Sequence, residues 1–270
     1  MLLHGLQLVL ALLTLCGIAF YLLALLSTYL FHRRPKLAAS SFPPVSLLKP
    51  LKGADPTTYE ALRSHCLQQY SEYQIIFGVN DASDAAIPAV RNLIAEFPSI
   101  DIRLLICTEV LGTNRKVSNL IHLFREAKYD YILVNDGDIK VSPGYLDAVM
   151  SNFTGPEIGM VTCLYRGNPS RTLGSRLEAL GISTDFAPGV LAANFLDDGL
   201  RFGLGSTLAM CRAALEKIGG FEAVVDYLAD DYQLGERIAA AGFKVALAAE
   251  IVETSVPPYL FRQFWEHQLR

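Results

Sequence analysis

The sequence predicts an α/β domain built on a doubly wound parallel sheet and preceded by one membrane-spanning helix. Three features carry that prediction. Between positions 45 and 140, short β-branched apolar runs alternate with longer amphipathic segments, as strands alternate with crossover helices. A long stretch without a charged residue, Leu6 to Phe31, stands ahead of them. The strand-like runs also end in acids, most sharply at Tyr131-Ile132-Leu133-Val134-Asn135-Asp136-Gly137-Asp138.

Composition agrees with this class. The 270 residues are 51% hydrophobic and only 19% charged, with a mean hydropathy of +0.30. Such a chain fills one sizeable core and has apolar residues left over, which points to a membrane. A formal net charge of -4 gives no basic footprint for nucleic acid. Cys16, Cys66, Cys107, Cys163 and Cys211 stand far apart with no C-x-x-C pair, the pattern of reduced thiols rather than a zinc site or a disulfide framework.

Leu6 to Phe31 is about 26 residues, roughly 39 Å of helix against a hydrocarbon core of roughly 30 Å. His32-Arg33-Arg34-Pro35-Lys36 follows it, so the domain after the helix is expected on the cytoplasmic side. The expected organisation is an anchor over 1–34, a linker over 35–44, an α/β domain over 45–256 and an amphipathic segment over 257–270.

Within the domain, Val45 to Leu48 is the first strand and Thr57 to Gln69 a helix started by Asp55-Pro56. Ile75 to Val79 is the second strand, Asp84 to Phe97 a helix, and Ile102 to Cys107 the third strand. Arg115 to Lys128 places Val117, Leu120, Ile121 and Phe124 on one helical face. The strand ending at Asp136 follows. Ile158 to Tyr165 and Leu208 to Cys211 read as further strands, and Ser170 to Ile182 as a helix. Ala187 to Arg201, with its Asp197-Asp198-Gly199 turn, reads as a loop without a role. Phe202 to Thr207 is glycine-spaced, either for close approach to a ligand or for a tight turn. A helix follows Asp230-Asp231 and runs to Ala241.

The strand-end acids suggest chemistry. Asp136 and Asp138 on a turn that Gly137 lets bend can converge on one hard divalent cation that shares its shell with phosphates; equally, Asp and Gly are turn formers. Asp81 closes the second strand on the same rim, where an acid can accept hydrogen bonds from a base or ribose. Gly112-Thr113-Asn114-Arg115-Lys116 opens a helix, a setting either for a phosphate-bearing ligand or for ordinary surface charge. Of Asp230 and Asp231, one can cap its helix and leave the other free as a general base. At the C-terminal end, Phe261, Phe264, Trp265 and Leu269 fall on one helical face, suited either to a membrane interface or to packing on the domain.

Val45-Ser46-Leu47-Leu48-Lys49-Pro50-Leu51-Lys52-Gly53 with Asp55-Pro56, then Val79-Asn80-Asp81, Gly112-x-Asn114-x-Lys116, Asp136-Gly137-Asp138 and Ala229-Asp230-Asp231-Tyr232 resemble the ceramide glucosyltransferase family. Among its bacterial members they resemble hopanoid-biosynthesis-associated glycosyltransferases. The resemblance implies a GT-A fold and an inverting hexosyltransferase of a bacterial inner membrane. Its donor would be a UDP-sugar carrying glucose or N-acetylglucosamine, and its acceptor a hydroxyl of ceramide or a hopanoid polyol. It implies Mg²⁺ or Mn²⁺ held by Asp136 and Asp138, UDP-sugar contacts from Lys49, Asp81, Asn114, Lys116 and Asp136, and a catalytic pair Asp230 and Asp231 with Asp231 as base. His267 and Arg270 would help the diphosphate leave; His267 stands where the family has Gln or Arg, and the chain stops before the expected Trp. With no stop signal after Arg270, the chain is expected to continue into further membrane helices. A polysaccharide-polymerising transferase and a non-catalytic UDP-sugar-binding module remain the alternatives.

Overall fold

The structure is a computed structural model and describes residues 2–34, 43–197 and 199–269. Arg270 and most of the expected linker lie outside the described residues. Helix α1 (Leu2–His32) exposes its apolar side chains along most of its length. Its last turns are different: Ala24, Ser27 and Phe31 are buried against the domain.

Strands β1 (Val45–Leu51), β2 (Tyr73–Val79), β3 (Asp101–Ile106) and β4 (Tyr131–Val134) alternate with α2 (Thr58–Cys66), α3 (Ile87–Glu96) and α4 (Arg115–Arg125). They pair in parallel, as the sequence predicts, and their order is β3-β2-β1-β4. The chain steps outward from β1 to β3 and then returns to β4 on the other side of β1. That reversal opens a crevice at the carboxyl ends of β1 and β4. Neighbouring strand residues feed opposite faces. Leu48, Ile76, Ile132 and Val134 meet Val117, Leu120 and Ile121 of α4, while Leu47, Ile75, Phe77 and Leu133 meet Leu62 of α2 and Val90 and Leu93 of α3. The strands are apolar on both faces because both faces are covered.

The second half departs from the expected parallel sheet. β5 (Ile139–Lys140), α5 (Tyr145–Met150), β6 (Ile158–Pro169), β7 (Leu208–Cys211) and β8 (Lys244–Val256) complete an eight-stranded mixed sheet, β3-β2-β1-β4-β7-β6-β8-β5. β7 is antiparallel to both β4 and β6, and β5 is antiparallel to β8. The connection explains the reversal. After β6 the chain arrives at the rim that holds the ends of β1 and β4, so the next strand starts there and runs back, with Leu208 opposite Val134 and Cys211 opposite Tyr131.

That connection opens with the helix expected over Ser170 to Ile182 and stays helical to Leu196, where a loop is expected from Ala187. α6 (Leu173–Gly181), a π-helical turn over Ile182–Phe186 and α7 (Ala187–Leu196) form one bent helical stretch. Pro188 falls in the first turn of α7, directly after the π turn. His4–His32 and Leu173–Leu196 are both long and apolar enough to cross a membrane, the second with 28% of its most apolar window buried.

Helices α8 (Arg212–Lys217), α9 (Asp230–Ala240) and α10 (Phe261–Gln268) complete the chain. On α10, Phe264 is the partly buried member of the expected face and approaches Gly174 of α6, while Phe261, Trp265 and Leu269 stay exposed. The terminal segment thus uses one aromatic for packing and leaves the others outside. All five cysteines are free thiols, and Cys66, Cys107 and Cys163 are buried.

α9 is seated by two glycines in contact. A Cβ on Gly235 would lie 2.2 Å from the Gly203 backbone nitrogen and 2.3 Å from the Phe202 carbonyl carbon. Backbone cannot rotate out of the way, so Gly235→Ala should destabilise the chain by about 1–3 kcal/mol, although alanine in a free helix gains about 1 kcal/mol over glycine. Thermal or denaturant unfolding in detergent measures this; unchanged stability would contradict the contact.

Candidate active site

The carboxyl ends of β1 and β4, the amino terminus of α4, the turn before β7 and the amino terminus of α9 meet at one rim of the sheet. Each brings a charged or hydrogen-bonding group.

The Asp136-Gly137-Asp138 turn is held from several sides. Below it, Lys49 is fully buried, and its ammonium Nζ lies 3.1 Å from the Asp136 carbonyl oxygen and 3.2 Å from His65 Nε2. His65 Nδ1 lies 3.1 Å from the Ala61 carbonyl, so Nδ1 donates there and Nε2 accepts from Lys49. Burial, only partly opposed by Asp138 and Asp136, pushes Lys49 down to about 7, and burial with Lys49 beside it lowers His65 well below its usual range. Asp138 Oδ2 accepts from Thr254 Oγ1 at 2.5 Å. Asn135, buried, donates to the Ser206 carbonyl at 2.6 Å and to Tyr145 Oη at 2.8 Å, tying the end of β4 to the start of β7.

Above the turn stands Lys116. Its ammonium lies 2.8 Å from Asp136 Oδ1 and 3.1 Å from Asp230 Oδ2. Asn114 caps α4 by accepting from the backbone N–H of Lys116 and Val117, and donates to the Tyr227 carbonyl at 2.7 Å. Thr113 N–H donates to Asp226 Oδ1 at 2.8 Å, so the segment before α4 is fastened to the segment before α9. Burial raises the Asp230 carboxyl against the opposing pull of Lys116.

Asp231 is placed differently from its neighbour. Its Oδ2 accepts from the Gly205 N–H and its Oδ1 from the Tyr232 N–H, both at 2.8 Å. A Cβ on Gly205 would lie 3.0 Å from Asp136 Oδ2 and 3.2 Å from Asp231 Oδ2. One absent methyl group would touch both carboxylates, so the two face a common point. Neither Asp230 nor Asp231 caps α9 through its side chain.

Two hollows flank this cluster. A cleft of about 540 Å³ runs over the ends of β1 and β4 and is lined by Lys52, Gly53, Asn80, Arg115, Lys116 and Asp138, among others. A second, of about 350 Å³, is walled by Tyr165, Phe186, Phe202 and Tyr232, with Asp231 at its edge. The Phe202 and Tyr232 rings stack at 6.2 Å.

Asp136, Asp138, Lys116, Asn114, Asp230 and Asp231 are therefore brought together. The other expected site residues are not in that cluster. Asp81 is exposed, accepts from Ser83 N–H and Oγ and is held below the usual carboxylate range by those bonds; Asn80, beside it, lines the cleft instead. Lys49 lies under the turn with no exposed surface, where it supports the Asp136 carbonyl. His267 stacks on Tyr259 and lies 3.5 Å from Glu178, on α10 beside α6. Arg270 is outside the described residues.

Asn135, Thr254, Gly205 and the aromatic walls are additions from the fold. A buried amide at a strand end was the one sequence signal for Asn135, and nothing in the sequence pairs Thr254 with Asp138. Among the described residues no group of three or more Asp, Glu, His or Cys side chains could by itself hold a metal ion. Asp136 and Asp138 could offer hard carboxylate oxygens to Mg²⁺ or Mn²⁺.

Residues 9–270 match glycosyl transferase family 21. The chain belongs to that family. Ceramide glucosyltransferase 3 of Caenorhabditis elegans is 31% identical over 224 residues, covering 83% of this chain and 48% of the relative. Ceramide glucosyltransferase 1 of the same organism is 30% identical over 82% of this chain and 47% of its own length. The family 21 chain thus spans about half the length of the curated relatives it matches. A mannosyltransferase from Pyrobaculum calidifontis, solved with GDP-Man and Mn²⁺, superposes with a TM-score of 0.68 at 20% identity over 94% of this chain and 74% of that one. TarS of S. aureus in complex with UDP superposes at 0.55 with 13% identity over 83% of this chain and 62% of that one. These likenesses establish the glycosyltransferase GT-A fold for this member of family 21.

The position of Lys49 has a consequence for pH. The unfolded chain holds its proton up to about 10.5 and the folded chain gives it up near 7. Between those values the unfolded state binds more protons, so wild-type stability should climb with pH. In Lys49→Met that increment should vanish, and unfolding curves of the two proteins from pH 7 to 10 should show the difference. Parallel pH profiles would mean that Lys49 is not buried as described.

Proposed function

We propose that this chain is the catalytic part of an inverting glycosyltransferase that moves a hexose from a UDP-sugar to a hydroxyl of a membrane lipid at the cytoplasmic face. The observation that carries the proposal is the position of Asp231. It lines the aromatic hollow and, across Gly205, faces Asp136, whose neighbours Gly137 and Asp138 line the polar cleft.

The cleft supports a nucleotide diphosphate. It lies at the strand-order reversal, opens onto the amino terminus of α4 and carries Arg115 and Lys116. When bound at Asp136 and Asp138, Mg²⁺ or Mn²⁺ would screen the diphosphate charge as the bond to the sugar breaks. Asn80 and Lys116 line the nucleotide's side of the cleft, and the arrangement is compatible with Asp81 meeting the base at its outer end. The aromatic hollow suits an acceptor with an apolar body and a hydroxyl head. That hydroxyl would lose its proton to Asp231 while its oxygen attacks the anomeric carbon from the face opposite the diphosphate. One bond forms as the other breaks, and an α-linked donor yields a β-glycoside.

Asp231 is the better base of the adjacent pair. Two backbone N–H groups fix its orientation while each oxygen keeps a further lone pair. Asp230 is buried and committed to Lys116. Ceramide, the substrate named for the curated relatives, and a hopanoid polyol are the acceptor classes to test, with UDP-glucose and UDP-N-acetylglucosamine as donors.

Asp231→Asn should lower turnover about 10²–10⁴-fold and leave UDP binding within about threefold of wild type, less than 1 kcal/mol. Asp230→Asn should weaken UDP binding as well, because it disturbs Lys116. Calorimetric titration of UDP with Mn²⁺, paired with a glycolipid assay, tests both; near-normal turnover by Asp231→Asn would sink the assignment.

A further inference from the structure

Lys116 is the cation between two carboxylates whose needs differ. The Asp230 side chain is 8% exposed, and its other side-chain contact is the amide of Asn114 at 3.5 Å. Without the ammonium it would be a buried charge with almost no compensation. The Asp136 side chain is 40% exposed, and the next two residues, Gly137 and Asp138, line the cleft. The ammonium thus bridges the two carboxylates, at 2.8 Å from one and 3.1 Å from the other.

A divalent cation approaching Asp136 meets that ammonium at 2.8 Å from Oδ1. Two positive charges cannot share one carboxylate oxygen at contact distance without strong repulsion. A diphosphate changes the balance, because Lys116 also lines the cleft and can turn toward phosphate oxygens.

We propose that Lys116 is a positioning residue that acts as the resident counter-ion of Asp136, competing with a divalent cation until a diphosphate gives its ammonium another anion. The inference rests on the function proposed above and adds an order to it: the cation binds well only together with the nucleotide. Lys116 keeps Asp230 throughout and exchanges Asp136 for phosphate. Removing the ammonium therefore has effects of opposite sign. Asp136 becomes a better ligand for a cation alone, and the nucleotide loses a partner. A lysine that merely held the fold together would weaken both on removal.

The test is titration of Mn²⁺ into the detergent-solubilised chain, without and with UDP, for wild type, Lys116→Met and Lys116→Arg, with thermal unfolding followed in the same samples. Lys116→Met should bind Mn²⁺ alone about tenfold or more tighter than wild type, and Mn²⁺ with UDP about tenfold or more weaker. Mn²⁺ alone should also raise its unfolding temperature more than that of wild type. Lys116→Arg keeps a cation and should stay within about threefold of wild type for Mn²⁺ alone. If Lys116→Met does not fold, Lys116→Gln combined with Asp230→Asn removes the stranded carboxylate and carries the same comparison against Asp230→Asn alone. Affinity for Mn²⁺ alone that is unchanged or lower overturns the counter-ion role and leaves the functional proposal standing. Failure of wild type to bind UDP with Mn²⁺ overturns the functional proposal and this inference with it.

Discussion

Four carboxylates crowd one rim of the sheet, and the rest of the site depends on how each is compensated. Two unpaired carboxylates about 4 Å apart repel by about 4 kcal/mol at an effective dielectric of about 20, a large share of the 5–15 kcal/mol that holds a typical domain folded. The chain supplies a partner to each. Asp136 and Asp230 share Lys116, Asp138 takes the Thr254 hydroxyl, and Asp231 takes two backbone N–H groups. Lys49 adds a donor to the Asp136 carbonyl from beneath. The partners come from β1, α4, the turn before β7, α9 and β8, so the sheet has to be assembled before the acids can be held together.

The reversed strand makes that assembly possible. Because β7 runs against β4, its amino-terminal turn lies beside the end of β4 rather than at the opposite edge. Gly205 then reaches Asp231 through its N–H and leaves its missing side chain between Asp231 and Asp136. Gly203 lets α9 approach the same turn through Gly235. The separation of the two facing carboxylates is therefore set by backbone packed on backbone. Such contacts have fewer soft degrees of freedom than side-chain packing, which on the proposed function suits a base that has to be held against an acceptor hydroxyl.

The amino-terminal half was legible because local pattern and tertiary role coincide there. Val45 to Leu48, Ile75 to Val79 and Tyr131 to Val134 are buried on both faces, and continuous apolar runs are what such strands require. The acids at their ends stand out against that background, and Asp136 lies beside Asp230 and Asp231 in the folded chain. Legibility failed where long-range geometry decides. The direction of β7 depends on which rim the preceding helix reaches, and no local feature of Leu208 to Cys211 carries that information. β8 has alanines and Glu250 in its middle, a weak β pattern that pairing with β6 overrides. Ala187 to Arg201 looks like a loop because of its Asp197-Asp198-Gly199 turn, although helix α7 runs to Leu196, just before that turn. Lys49 looks like a ligand contact because it is a cation in a glycosyltransferase-like motif, and its depth beneath the turn appears only with His65 in place.

The bent helical stretch links the membrane side of the chain to the proposed acceptor side. Phe31, at the end of α1, shares a buried cluster with Val190 and Leu191 of α7, so the exit of the apolar helix is fixed relative to α7. Phe186, in the π turn just before α7, walls the aromatic hollow together with Tyr165, Phe202 and Tyr232. On the proposed function, a lipid hydroxyl has to reach Asp231 while its tails remain in hydrocarbon. The packing of α1 on α7, which Phe186 precedes, sets how far the hollow stands from the end of that helix, and hence how far the hydroxyl has to rise. Burial and the neighbouring Asp231 push the Tyr165 hydroxyl up to about 12, so the wall beside the base stays uncharged. An uncharged aromatic wall binds an apolar acceptor without competing for its proton, which leaves Asp231 as the one carboxylate among the residues lining that hollow.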